Sequence, residues 1–338
     1  MTGMSWVRES VLKIIKEDNE KNAGTPRGDW DYAYEAIDYF LDLEPESLRK
    51  VRLHTEVFTG EPLNQLIFST PASDGDSYAE TIGYKFFTEN LAEDFHIGEP
   101  PLSGRLKVGT PYNGRLINQD LARYQMYVGW LATTGLLDVD DGRKRLFLEI
   151  GPGYGALPFH VSRLRPNGFT SIIVDLPIML LVSAAYIATN RPNARIHIYD
   201  PVDPTPIDRE KAEQYDFIFM PNYRMDLLSE ITGIDIAFNS LSIQEMETKE
   251  ANSYINFISE RLKGLFFLHF NDFAKPPLLV ERLRDRFRVY PDRDCYSDYL
   301  GPSKTPTTAL FYAATHDPVL ISRLAASELS PDYAPRWL

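Results

Sequence analysis

The chain has 338 residues, 43% of them hydrophobic, and its 35 lysines and arginines stand against 48 aspartates and glutamates for a net charge of −13. That is the composition of a globular protein with one large domain and a smaller one beside it. Its acidic balance argues against a nucleic-acid partner, whose phosphates have to be neutralised by Lys and Arg.

The first residues, Met1 to Ser5, show neither a basic stretch nor an apolar one behind it, so the expected location is the cytoplasm. The longest nearly apolar run, residues 178–188, contains Ser183 and is far shorter than a membrane-spanning helix of about 20 residues. The single cysteine, Cys295, excludes an internal disulfide and a multi-thiolate metal cluster.

In chain order, Trp6, Val7, Val11, Leu12, Ile14 and Ile15 recur at spacings of three and four and predict a first amphipathic helix. A second helix is expected over residues 31–43, ended by Pro45. Between residues 58 and 114 the density of Pro and Gly predicts extended segments and turns rather than long helices. Helical periodicity returns over residues 118–131 through Leu121, Tyr124, Val128 and Leu131. The turn-rich stretch near residue 110 is the expected boundary between a mainly helical N-terminal cap, 1–110, and a second domain, 111–338.

From residue 146 onward, short apolar runs alternate with helical ones, the pattern of a doubly wound α/β domain. Strands are predicted at 146–150, 170–174, 217–220, 234–238, 265–270 and 308–313, and helices near 156–164, 178–190, 251–262 and 278–286. Residues 196–199, inside a Pro-rich insertion, are a further candidate strand, which leaves open whether they or 217–220 occupy the third position.

Within that domain, Leu148-Glu149-Ile150-Gly151-Pro152-Gly153-Tyr154-Gly155 joins a strand to a helix. Glycines there let the backbone turn sharply and approach a ligand, and the helix start presents free N–H groups. The second strand ends at Asp175, ahead of Leu176, where a carboxylate can accept both hydroxyls of a ribose. The glycine spacing also satisfies the looser dinucleotide fingerprint through Ala156. Glu149, two residues before the first glycine, favours S-adenosylmethionine over NAD, because dinucleotide sites usually carry an apolar residue there. The expected cofactor-facing set is Glu149, Gly151, Gly153, Tyr154, Gly155, Asp175, Leu176, Asn222, Asn239 and Ser240.

Asn239, Ser240, Gln244 and Glu245 follow the fourth strand, and the loop at that point of an open sheet lies beside the first strand, where a ligand's reactive end belongs. If the acceptor is a hydroxyl, a general base is needed, and the candidates are Glu245 and His269. Asn271 and Asp272 are placed to orient that base, to bind substrate or to hold a divalent cation, and metal dependence stays open. Among 19 Tyr, 19 Phe and 4 Trp, the group Trp30, Tyr32, Tyr34, Tyr39 and Phe40 offers stacking surfaces or simple packing.

Residues 98–275 resemble the sugar O-methyltransferases of the S-adenosylmethionine-dependent methyltransferase superfamily. The resemblance rests on Gly109-Thr110-Pro111-Tyr112 leading to Leu121-Ala122-Arg123-Tyr124, on 148–155, on Ile173-Val174-Asp175-Leu176-Pro177 and on the segment Asn239 to Met246. It implies a Rossmann-like fold and methyl transfer from S-adenosylmethionine, with S-adenosylhomocysteine as product. Arg123 and Tyr124 would lie over the site, which with Gln244, Asn271 and Asp272 makes the expected substrate set. The partner is then a small-molecule substrate, with neither nucleic acid nor membrane involved, and a homodimer is left open.

Overall fold

The computed structural model describes residues 3–21, 38–55, 78–102, 108–137, 142–270, 276–291 and 310–322. Its first element, α1 (Ser5–Lys21), buries Val7, Val11, Ile14 and Glu17 along one stripe, as its apolar spacing predicts. Of the second expected helix, residues 31–37 lie outside the described set and Asp38–Leu41 forms only one 3-10 turn. Pro45 opens a further 3-10 stretch, Pro45–His54, kinked at Lys50, because proline's fixed φ suits a helical first turn.

The stretch expected to be extended contains a helix, α2 (Tyr78–Thr88). Its apolar face, with Tyr84 and Phe87 buried, outweighs the Pro and Gly on either side. A small hairpin of β1 (Thr110–Tyr112) and β2 (Arg115–Ile117) turns at Asn113-Gly114, both at positive φ (45° and 77°), as the tightest hairpin turns require. Helix α3 (Gln119–Thr133) follows, capped by Asn118, whose Oδ1 accepts from the Leu121 amide at 2.7 Å.

The rest alternates strand and helix: β3 (Arg145–Ile150), α4 (Ala156–Leu164), β4 (Phe169–Asp175), α5 (Pro177–Asn190), β5 (Ile196–Ile198), α6 (Arg209–Glu213), β6 (Phe217–Pro221), β7 (Ile234–Ser240), α7 (Thr248–Arg261), β8 (Leu262–Phe270), α8 (Pro276–Arg284), β9 (Arg288–Pro291) and β10 (Leu310–Thr315). The eight strands β3 to β10 form one sheet in the order β5-β6-β4-β3-β7-β8-β10-β9. The six from β5 to β8 run parallel, and β10 pairs antiparallel with both β8 and β9. Both candidates for the third position are strands. β6 pairs with β4, and among the described residues β5 pairs only with β6, at the edge. This is the doubly wound, Rossmann-like α/β sheet expected from the sequence.

Every residue of β3 is buried, as are all but the last of β4 and β7. Such two-sided burial is why these strands read as continuous apolar runs rather than alternating ones. Helix α5 is apolar all round, buried from Pro177 to Ala188, and is covered in turn by α1 and the 45–54 segment. Residues on both sides of position 110, from Met4 to Leu320, therefore share one hydrophobic core.

Chain reversal of the winding direction occurs at β3. Its successor β4 lies on one side, and β7 lies on the other. The connections leaving β3 and β7 therefore run to opposite sides of this point at the carboxyl edge, the place where open α/β sheets bind ligands. No described helix is long and apolar enough to cross a membrane.

Candidate active site

Leaving β3, the chain passes through Gly151, Gly153 and Gly155 at φ values of +66°, +62° and +79°, a conformation that side-chain-bearing residues rarely adopt. The Gly151 amide donates to the Val174 carbonyl at 2.9 Å, holding the loop over the end of β4. A Cβ at Gly151 would sit 2.2 Å from Ser242 Oγ, so the loops after β3 and β7 touch where the sheet divides. Asn239 joins them from within the core: its Nδ2 donates to the Ile150 carbonyl at 2.7 Å and its Oδ1 accepts from the Ile243 amide at 3.2 Å. Its side chain thus fixes the loop rather than standing open to a ligand. Between them, Leu241 is held at φ +68°, its amide donating to the His269 carbonyl at 2.7 Å. A bulky residue in that conformation stores strain of order 1–3 kcal/mol, of the kind concentrated at functional sites.

Around this edge, three buried acceptor atoms have no hydrogen-bond donor: Glu149 Oε2, Asp175 Oδ2 and Asn222 Oδ1. Glu149 is 3% exposed, and burial, with the Asp175 charge beside it, pushes its carboxyl well above the ordinary range. Asp175 is half-buried as a residue, but its Oδ2 is fully covered. Its Oδ1 accepts from the Leu176 amide at 2.8 Å, and the Gly153 amide adds a second bond. Burial nonetheless raises the carboxyl to about 7, with the Glu245 charge adding to it. Asn222 opens the 3-10 helix after β6 and donates to Glu250 of α7. Leu176, half-buried, precedes α5 at its N-cap position. An uncompensated buried acceptor costs about 1–3 kcal/mol, so this edge calls for a ligand rich in donors.

Across from the glycine loop stands α3. Asp120, fully buried, accepts from Tyr154 Oη at 2.8 Å and pairs with Arg52 at 3.0 Å and Arg123 at 2.6 Å. Arg52, 1% exposed, also pairs with Glu99 at 2.7 Å and lies 4.4 Å over the Tyr154 ring. Tyr154 is therefore committed by its side chain to this network, and only its backbone belongs to the loop's open face. Tyr124 is buried between Tyr127 and Tyr154, edge to face with each. Arg123 keeps some exposure and is tethered to Asp120.

One turn further on, Tyr127 reaches into the dividing point of the sheet. Its Oη lies 2.5 Å from Ser240 Oγ and 2.5 Å from His269 Nδ1, and Ser240 Oγ is 3.3 Å from the same nitrogen. Ser240 and His269 are register partners on β7 and β8. Histidine and tyrosine are 2% and 1% exposed, while Ser240 is half-buried. Gln244 and Glu245, also half-buried, sit in a 3-10 turn (Ile243–Glu245) beside them. The expected substrate residues Asn271 and Asp272 lie outside the described residues, as do Trp30, Tyr32, Tyr34 and Cys295. Tyr39 stacks on buried Phe40 at 4.6 Å and bonds His54. Among the described residues no three His, Cys, Asp or Glu side chains converge as metal ligands.

Sequence reasoning did not single out Tyr127, Asp120, Arg52 or Ser242. Asp120, Tyr124 and Tyr127 do form a stripe at helical spacing, the one local signal for the inward face of α3. A separate cleft of about 620 Å³, lined by His96, Glu99, Arg115, His160 and Arg163 among others, shares no residue with the strand ends.

No family model matches the sequence, and no curated protein matches it. Solved structures do. Precorrin-6y C5,15-methyltransferase from Geobacter metallireducens GS-15 is 15% identical, with a TM-score of 0.35 over 55% of this chain and 86% of that one. Magnesium protoporphyrin IX methyltransferase from Synechocystis PCC 6803, with bound SAM, is 16% identical, with a TM-score of 0.38 over 57% and 78%. The N-terminal domain of human METTL16 in complex with SAH is 14% identical, with a TM-score of 0.39 over 72% and 98%.

Proposed function

We propose that this chain is an S-adenosylmethionine-dependent O-methyltransferase whose acceptor is a hydroxyl of a sugar or sugar-bearing small molecule. The observation that carries the reading is the set of donor-starved acceptors, Glu149 Oε2, Asp175 Oδ2 and Asn222 Oδ1, around a loop of three positive-φ glycines. S-adenosylmethionine is a ligand of that chemistry. Its ribose hydroxyls donate to a carboxylate at the end of the second strand, and its ammonium and sulfonium are cations suited to buried acids.

Asp175 is assigned to the ribose, Glu149 to the aminoacyl end and Asn222 to a further donor, with the backbone of residues 151–155 lying against the nucleoside. The cofactor brings an activated methyl group on sulfur, so the protein has to bind, align and dry the reactants and take a proton. Tyr124 and Tyr127, packed edge to face behind the site with Tyr154, back it with an aromatic layer that excludes water. The sugar acceptor rests on the sequence resemblance of residues 98–275, and the half-buried Gln244 and Glu245 supply polar groups suited to hydroxyls.

Calorimetric titration with S-adenosylhomocysteine and with NAD⁺, on the wild type and on Asp175→Ala, tests the reading. Micromolar binding of the nucleoside that weakens at least tenfold in the variant is the expected result. No binding, or tighter binding of NAD⁺, overturns it.

A further inference from the structure

Resting on the reading above, we propose that Ser240, Tyr127 and His269 form a proton relay in which the Tyr127 hydroxyl is the bridge between a substrate-facing serine and a buried histidine. Three observations lead there. His269, a sequence candidate for the general base, is 2% exposed and cannot meet a substrate hydroxyl directly from so covered a position. Ser240, at the carboxyl end of β7 where the sheet divides, retains exposure. Tyr127 Oη is 2.5 Å from both, closer than the 3.3 Å that separates Ser240 Oγ from His269 Nδ1.

The ring of Tyr127 is wedged against Phe238 at 5.0 Å, against His269 at 5.6 Å and against Tyr124 at 6.0 Å. Packing from the strand below and from its own helix therefore sets where the hydroxyl points, which is what a bridge requires. Tyr127 itself touches no substrate in this scheme and acts as a positioning residue.

The step balances as follows. The acceptor hydroxyl gives its proton to Ser240 Oγ as the serine's own proton passes to Tyr127 Oη and the tyrosine's to His269 Nδ1. The acceptor oxygen uses a lone pair to form the new O–C bond, and the methyl's old bonding pair stays on the sulfur of the methyl donor. One positive charge thus moves from sulfur to imidazole, and after the products leave the proton passes back from His269 Nδ1 through Tyr127 Oη and Ser240 Oγ to solvent. In the resting state His269 has to be the tautomer with an unprotonated Nδ1.

Tyr127→Phe keeps the ring and removes the bridge, and Ser240→Ala removes the entrance. Two-bond ¹H–¹⁵N spectra of the free protein, with the His269 signal identified by its loss in His269→Gln, should show an unprotonated Nδ1 that shifts in Tyr127→Phe. A protonated Nδ1 in the wild type, or a spectrum indifferent to Tyr127→Phe, overturns the relay. On a hydroxyl acceptor found by screening, both variants should lose roughly 10- to 100-fold in kcat, the lower part of what positioned proton transfer supplies, with KM little changed. The dependence of kcat on the D₂O fraction should be curved in the wild type and straight in Tyr127→Phe. S-adenosylhomocysteine binding should stay at the wild-type value in Tyr127→Phe, and the melting temperature should fall only by what the lost hydrogen bonds to Ser240 and His269 account for. Equal binding with kcat within twofold and the same curvature overturns the relay alone, whereas a wild type that binds no S-adenosylhomocysteine overturns the function beneath it.

Discussion

At Gly151 two separate constraints meet in one atom that is absent. Its φ of +66° disfavours any side chain, and a Cβ would collide with Ser242 Oγ at 2.2 Å. Gly151→Ala should lower stability by about 1–3 kcal/mol and abolish nucleoside binding. Because that Cβ would also lie 2.6 Å from Ser242 Cβ, only Ser242→Gly, not Ser242→Ala, should recover the part owed to the collision and leave the backbone part, which thermal melts of the single and double variants would separate. Asp175 makes a prediction of opposite character. Its unfolded carboxyl loses its proton near pH 4, whereas the folded one, raised by burial and then by Glu245, loses it at about 7. Between those values the folded state holds a proton that the unfolded state has released, so stability falls as pH rises through the window. Asp175→Asn, with nothing to ionise, should therefore gain in melting temperature over wild type at pH 8 relative to pH 4.5. The places of Glu149, Gly151, Gly153 and Asp175 at the ends of β3 and β4 were legible in the sequence because turn chemistry and strand-end position are local properties. Tyr127 was not, since its partners lie 113 and 142 positions away, and no local pattern encodes that distance.

Among the elements, the strands that bury both faces were legible as apolar runs, with ends misplaced by one to three residues. Those that escaped notice fail for identifiable reasons. β9 is four residues long and takes its place only by pairing with β10, and α2 is hidden by the punctuation around it. The Asn113-Gly114 turn carried a hairpin signal that the surrounding prolines obscured. Helix α1 was readable as amphipathic, but not what it would cover. It lies on α5 and is pinned there by Glu17, which accepts from Tyr199 at 3.2 Å and from Tyr223 at 3.1 Å and pairs with Lys21 and Arg224. Glu17→Ala leaves the buried Tyr199 hydroxyl without its acceptor, whereas Tyr223 keeps the Ile14 carbonyl at 3.0 Å and Arg224 keeps Asp226 at 3.1 Å, and should cost about 1–3 kcal/mol. The loss should appear in hydrogen exchange as earlier opening of α1 and β5, with β3 and β7 unaffected.

For the molecule as a whole, Arg52 is the joint between the N-terminal segments and the glycine loop. It connects Glu99, Asp120 and Tyr154 within one buried network. Arg52→Met takes the cation from buried Glu99, while Asp120 keeps Arg123 and Tyr154, and should cost about 3–5 kcal/mol in urea unfolding. It should also weaken S-adenosylhomocysteine binding, because Tyr154 belongs to the loop.

The clamp on α1 also sets a timetable for synthesis. Glu17 and Tyr199 are 182 positions apart, so a ribosome adding 5–20 residues per second leaves α1 without its partner for roughly 9–36 s. Through most of that interval the helix carries Val7, Val11 and Ile14 without α5, a hydrophobic stripe presented to the cell before the helix it will cover exists. The nascent chain is therefore most exposed to aggregation before β5 emerges. Slowing translation upstream of residue 196 should lower the soluble yield more than slowing it downstream.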